Sequence, residues 1–202
     1  MRKKLAVFAS GRGSNAEAIY HAIQEGTING DIVVVISDYS NARILERAKA
    51  WNVPTMVFER KNYDSKDRFE QAMIDALVPY EPDGIVLAGY MRLLGPTFIN
   101  PYEYRILNIH PALLPSFPGL HAQGQAVAAG VKVSGCTVHF VDTGMDSGPI
   151  IMQNTVPVYA GDTEDTLAER LLPIEHGTYK KALALFCEDK LEIKDHIVYI
   201  HD

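Results

Sequence analysis

Leu5-Ala6-Val7-Phe8-Ala9-Ser10-Gly11-Arg12-Gly13-Ser14-Asn15 is five apolar residues followed by a polar turn punctuated by two glycines. The apolar run does not alternate, which predicts a strand covered on both faces. Residues 15–24 beyond the turn carry a helical pattern. Strand, tight turn and helix together open an α/β unit. The basic head Met1-Arg2-Lys3-Lys4 resembles the start of a secretory leader. The apolar stretch is too short for one, however, and Gly11 and Gly13 break it, so a first strand is the better reading.

The alternation continues along the chain. Strands are predicted at 32–36, 55–58 and 84–88, with helices at 42–51 and 65–77 between them. Ser65 is placed to cap the second of these helices, and Asp67 adds negative charge to its first turn. Such alternation implies a parallel sheet with right-handed crossovers. The second half reads differently: a strand at 105–109, a Pro/Gly-rich loop at 111–119, a helix at 123–129, and strands at 135–141 and 150–156. The turn at 142–149 joins the last two as a hairpin-like, antiparallel pair. A long helix at 163–187 starts on Thr163-Glu164-Asp165, and Pro173 is expected to kink or interrupt it. The predicted fold is α/β: a Rossmann-like open, mostly parallel twisted sheet, helices on both faces, and an antiparallel strand in the C-terminal half. One domain over 1–202, with halves 1–103 and 104–202, fits a chain of 202 residues that is 47% hydrophobic.

The 25 acidic residues outnumber the 19 basic ones, for a net charge of −6. That argues against a nucleic-acid partner. No apolar run approaches the length of a membrane span. The two cysteines, Cys136 and Cys187, lack metal-ligand spacing and read as reduced thiols of a cytoplasmic protein. Cys136 sits in a strand pattern, where a thiol packs as a small apolar group rather than acting as a nucleophile. The seven histidines show no zinc pattern, so no metal is expected.

Two motifs and a turn carry chemistry. Ser10-Gly11-Arg12-Gly13-Ser14-Asn15 aims backbone amides and a positive helix end at an anion. Ala16 stands where a dinucleotide fingerprint needs glycine, so a monophosphate fits better. A plain strand–helix turn with a polar cap serves equally well for this stretch. The second motif is Asn108-Ile109-His110-Pro111-Ala112-Leu113-Leu114-Pro115. Positions i and i+2 of a strand share a face, so Asn108 and His110 project together at a strand's carboxyl end, where open α/β sheets bind ligands. An amide donor beside a group that moves protons near pH 7 suits acyl chemistry. The acidic turn contains Asp142 and Asp146. Each aspartate alone is ordinary turn chemistry, but a carboxylate beside His110 would favour its charged form. His139 reads equally as a site residue and as core packing.

These stretches, with Leu87-Ala88-Gly89-Tyr90-Met91-Arg92-Leu93-Leu94 and Val138-His139-Phe140-Val141, occur here in one order and spacing. In that arrangement the chain resembles the phosphoribosylglycinamide formyltransferases of purine synthesis, within a wider formyl-folate superfamily. The resemblance covers essentially the whole chain, up to Glu175-His176. It implies that the first half binds phosphate and the second binds folate and carries catalysis. Gly13, Ser14 and Asn15 would hold the phosphate of glycinamide ribonucleotide (GAR), and Glu175 its ribose. Lys66, Met91, Arg92, Leu93, Leu94, Asn108, Phe140, Val141 and Asp142 would bind 10-formyltetrahydrofolate as co-substrate. Lys66 stands where relatives commonly have Arg and loses its planar fork. Asn108, His110 and Asp146 would be catalytic in direct formyl transfer, with no metal. The resemblance leaves room for a homodimer.

Two formyl-folate alternatives remain: a formyltetrahydrofolate hydrolase, which the phosphate-type loop disfavours, and a methionyl-tRNA formyltransferase, which the acidic charge disfavours. A non-catalytic nucleotide-binding module would leave Asn108, His110 and Asp146 unexplained.

Overall fold

The computed structural model describes residues 1–201. The chain forms two compact units, Met1–Leu107 and Asn108–Asp202.

In the first unit, β1 (Lys3–Phe8), β2 (Gly30–Ser37), β3 (Thr55–Val57) and β4 (Gly84–Leu87) pair in parallel, with β1 central between β2 and β4. Leu5, Ala6, Val7, Phe8 and Ala9 are completely buried, as the unbroken apolar run predicted. Three helices cover the sheet: α1 (Ser14–Gln24), α2 (Arg43–Ala50) and α3 (Lys66–Leu77). Each buries one apolar stripe, such as Ala16 and Ile19 of α1, Ile44 and Ala48 of α2, and Phe69, Met73 and Leu77 of α3. Ser65 caps α3 as expected, accepting the Arg68 amide at 3.2 Å. A short helix, α4 (Pro96–Ile99), was not foreseen. Its Phe98 packs edge-on to Phe8, with ring centroids 5.5 Å apart.

β5 (Ile106–His110) crosses the boundary between the units. The second unit continues with α5 (Ala122–Ala128), β6 (Val133–Phe140), β7 (Ile150–Pro157) and α6 (Glu164–Cys187). The strand order is β3-β2-β1-β4 in the first unit, and β6 lies beside β7 in the second. β6 and β7 are antiparallel, from Val133 opposite Pro157 to His139 opposite Ile150, as the turn between them predicted. Ala126, Cys136, Val156, Leu167 and Leu171 form a core cluster between this pair and the helices. Thr163 and Thr166 cap α6 reciprocally. The helix runs unbroken through Pro173, contrary to the expected interruption. Proline removes one backbone hydrogen bond, but Leu167 and Leu171 before it and Thr178, Tyr179 and Leu183 after it are buried along one helix. Tertiary packing supplies most of a helix's stability, so that local loss is outweighed.

A separate hairpin, β8 (Leu191–Lys194) and β9 (Ile197–Ile200), also lay outside the sequence reading. Its two-residue turn is Asp195-His196, both at positive φ, 48° and 67°. A turn of that type is usually signalled by Asn-Gly or Asp-Gly.

Gly13 decides how α1 begins. It has φ 71°, and a Cβ there would lie 2.5 Å from Ile44 Cδ1 of α2. Gly13→Ala should therefore cost about 1–3 kcal/mol by overpacking, read as a lower urea midpoint with unchanged slope. Ile44→Ala should relieve most of the clash component in the double variant, leaving only the cost of the left-handed backbone. A single-variant loss below ~0.5 kcal/mol, the range of an ordinary surface change, would show that the contact is not close.

Candidate active site

The second unit holds a connected polar cluster at the end of β5. Asn108 and His110 lie on alternate positions of that strand. His110 is buried, 4% exposed. Its Nε2 donates to the Phe117 carbonyl at 2.8 Å. A carbonyl only accepts, so Nε2 carries a proton and Nδ1 is the nitrogen facing Asp146, with 3.5 Å to Oδ2. Asp146 sits at positive φ, 51°, in the turn before β7. Its Oδ2 also accepts the Gly119 amide at 2.8 Å.

The chain between His110 and Phe117 is held from β6 and β7. Thr137 Oγ1 donates to the Ala112 carbonyl at 2.7 Å and accepts the Leu114 amide at 3.0 Å. Gln153 Nε2 donates to the Leu114 carbonyl at 3.0 Å and to Thr137 Oγ1 at 2.9 Å. The stretch after β5 is thus fastened by side chains that no motif marked.

His139 joins the cluster, which the sequence left undecided. Its Nδ1 donates to its neighbour's carbonyl, Phe140 O, at 2.9 Å. Nε2 then accepts from Asn108 Nδ2 at 3.3 Å. Burial pushes the His139 pKa below the usual imidazole value, against smaller upward pulls from the Phe140 carbonyl and the Asp146 charge. Neutral His139 thereby orients the Asn108 amide, which keeps a second N–H to offer. Asp146 Oδ1 lies 3.9 Å from His139 Nε2.

The remaining second-unit residues fall as follows. Phe140 is buried edge-on against Phe186, ring centroids 6.4 Å apart, so its ring serves the core. Val141 and Asp142 are half-buried. Asp142 Oδ1 accepts Gly144 N at 3.1 Å and Ser147 Oγ at 2.7 Å, bracing the turn that carries Asp146. Glu175 is buried on α6. Burial pushes the Cys136 thiol pKa up, and the Glu175 charge adds to it, so Cys136 stays an un-ionised thiol at neutral pH.

In the first unit, no side chain caps α1, whose N-cap is Gly13 itself. The first-turn amides of α1 are therefore left without a capping side chain, at the positive end of the helix. Ser10 ties this loop to the next strand's exit: its amide donates to the Gly89 carbonyl at 3.0 Å, and its Oγ accepts the Met91 amide at 2.9 Å. Met91 and Leu93 are exposed, Arg92 is half-buried and Leu94 is buried. Lys66 is exposed, with Nζ 3.7 Å from Glu70 Oε1. Among the described residues no group of three or more His, Cys, Asp or Glu side chains is placed to hold a metal ion, and no helix is long and apolar enough to cross a membrane.

Because folded His139 binds a proton less readily than the unfolded chain, protons drive unfolding as pH falls below the ordinary imidazole value of ~6.5. Stability from this group is complete above that pH and declines beneath it. An NMR titration should place the His139 midpoint below ~6.5, with the neutral ring protonated at Nδ1. A midpoint at or above that value would contradict the neutral acceptor.

The family model described as Formyl transferase matches residues 3–183. A phosphoribosylglycinamide formyltransferase from Bacillus subtilis is 48% identical over 181 residues, 90% of this chain and 93% of that protein. The crystal structure of glycinamide ribonucleotide transformylase 1 from Symbiobacterium toebii superposes with a TM-score of 0.97 at 46% identity, covering 100% of this chain and 95% of the other. A formyltetrahydrofolate deformylase from Pseudomonas syringae shares the architecture at TM-score 0.93 and 26% identity, covering 100% of this chain and 67% of its own. With that match along nearly its whole length and the amide–imidazole–carboxylate cluster at the end of β5, the chain belongs to the formyl transferase family.

Proposed function

We infer that this chain transfers the formyl group of 10-formyltetrahydrofolate to the amine of GAR, giving formylglycinamide ribonucleotide and tetrahydrofolate in purine synthesis. The observation that carries the reading is the contact of His110 with Asp146 beside Asn108, in a chain whose near-full-length relatives are named for this transfer. The uncapped start of α1 supports a phosphate handle at Gly13, Ser14 and Asn15. Glu175 is assigned to the ribose hydroxyls. Met91, Arg92, Leu93 and Leu94, with the backbone of Phe140, Val141 and Asp142, are assigned to the folate, and so is Lys66. The same reading places the reaction on small molecules in the cytoplasm.

Formyl transfer begins when the GAR amine attacks the formyl carbon. The carbonyl oxygen takes on negative charge, and Asn108 Nδ2 and His110 are the donors we assign to it. As the bond from carbon to the folate nitrogen breaks, the proton shed by the attacking amine must reach that departing nitrogen. His110, held by Asp146, is the group that can pass it on. Both His110 ring nitrogens are already engaged, by Phe117 and by Asp146. Donation to substrate therefore requires one of those contacts to be exchanged. The shared fold of the deformylase makes hydrolysis the second reading, since it needs only water in place of the amine.

A transfer assay with GAR and 10-formyltetrahydrofolate should show formyl loss that depends on the amine; equal loss without GAR would make the chain a hydrolase. His110→Ala should lower kcat by ~10²–10⁴ with KM values within a few-fold, and near-normal turnover would remove His110 from the chemistry. Asp146→Asn should lower kcat at least ~10-fold without matching loss of substrate affinity; an unchanged kcat would make the contact with His110 incidental.

A further inference from the structure

Residues 89–95 of the first unit form neither helix nor strand, yet they present large apolar side chains outward. Met91 is 63% and Leu93 61% exposed. Irregular backbone has no ladder of hydrogen bonds to hold its shape, so something else must. Two buried carboxylates, neither in the polar cluster nor in any motif, are attached to this segment.

Glu70 of α3 is 1% exposed. Its Oε1 accepts the Gly95 amide at 2.5 Å and its Oε2 the Phe98 amide at 3.1 Å. Gly95 is the N-cap of α4 and has no side chain to do this work, so α3 supplies the capping carboxylate. The fit is close: a Cβ on Gly95 would stand 3.1 Å from both carboxylate oxygens. Lys66 Nζ, 3.7 Å away, partly balances the charge. At the other end, Asp38 lies just beyond β2 and is 2% exposed. Its Oδ2 is 2.8 Å from Arg92 Nε. A buried carboxylate is retained only with a partner, so Arg92 is held inward there. Ser10 Oγ fixes the preceding Met91 amide. The exposed apolar residues are therefore suspended between two anchors that solvent does not reach.

We propose that Glu70 and Asp38 are positioning residues for the folate donor: acting through Gly95 and Arg92, they hold residues 91–94 in the shape that binds it. This rests on the assignment of those residues to the folate. Neither carboxylate touches the reacting atoms, so both act on donor affinity rather than on the chemical step. Ordering the segment in advance removes that cost from binding.

The test is steady-state kinetics on Glu70→Gln and Asp38→Asn with each substrate varied. The donor KM should rise about tenfold in each, while kcat and the GAR KM stay within about twofold, because pre-ordering is lost only on the donor side. Gly95→Ala presses on the Glu70 carboxylate independently and should give the same split. Thermal melts identify a variant that does not fold. If Glu70→Gln is one, Asp38→Asn and Gly95→Ala decide. A donor KM within twofold of wild type in the folded variants overturns the proposal, as does a parallel change in both KM values. Wild-type protein that shows no GAR-dependent transfer would sink the functional reading instead. Equilibrium titration with tetrahydrofolate would then still decide the anchors: about tenfold weaker binding in the variants supports them, and equal binding excludes them.

Discussion

Three segments of the second unit converge on one carboxylate. Asp146 faces His110 from the end of β5, receives the Gly119 amide from the loop, and stands near His139 of β6. The contacts with His110 and Gly119 are far from local in sequence, and Asp146 reaches them from a left-handed backbone that few non-glycine residues adopt. Such a conformation persists only where the surroundings over-determine it. Here the bracing comes from Asp142, which gathers Gly144 and Ser147 into the same turn. The turn delivers one side chain, and His110 meets it there.

The two histidines show how environment separates identical chemistry. His139 donates through Nδ1 to a backbone carbonyl, and burial keeps it neutral, so it serves as an acceptor that aims an amide. His110 donates through Nε2 and turns Nδ1 to a carboxylate. The first geometry suits a fixed brace and the second a group that handles protons. Thr137 and Gln153 secure the loop between His110 and Phe117 with three hydrogen bonds and brace each other with a fourth. The geometry of Asn108, His110 and Asp146 therefore depends on a layer of ordinary polar residues around them.

Much of this was legible in the linear chain. The unbroken apolar run at 5–9 became the fully buried β1, because a strand covered on both faces has no position for a polar residue. The Gly-rich turn became a helix start, and the spacing of Asn108 and His110 placed both on β5. What was not legible has a common cause. The unbroken course of α6 through Pro173 is set by the buried residues flanking it, against local preference. The β8–β9 hairpin turns on Asp195-His196, a pair that carries no strong turn signal of its own. α4 is capped by Glu70 from a different helix, so its own sequence lacks a capping side chain.

The sequence by itself determined the α/β class, the family and the two residues at the end of β5. Each follows from a short-range pattern: strand or helix periodicity, glycine where backbone must turn, and motif spacing. The tertiary structure alone decided that His139 orients Asn108, that Asp146 reaches His110, and that Glu70 and Asp38 anchor residues 91–95. Those facts join residues some 25 to 55 positions apart. Pattern reading sees neighbours along the chain, whereas hydrogen bonds and ion pairs act over a few ångströms of space that only the packed fold brings about.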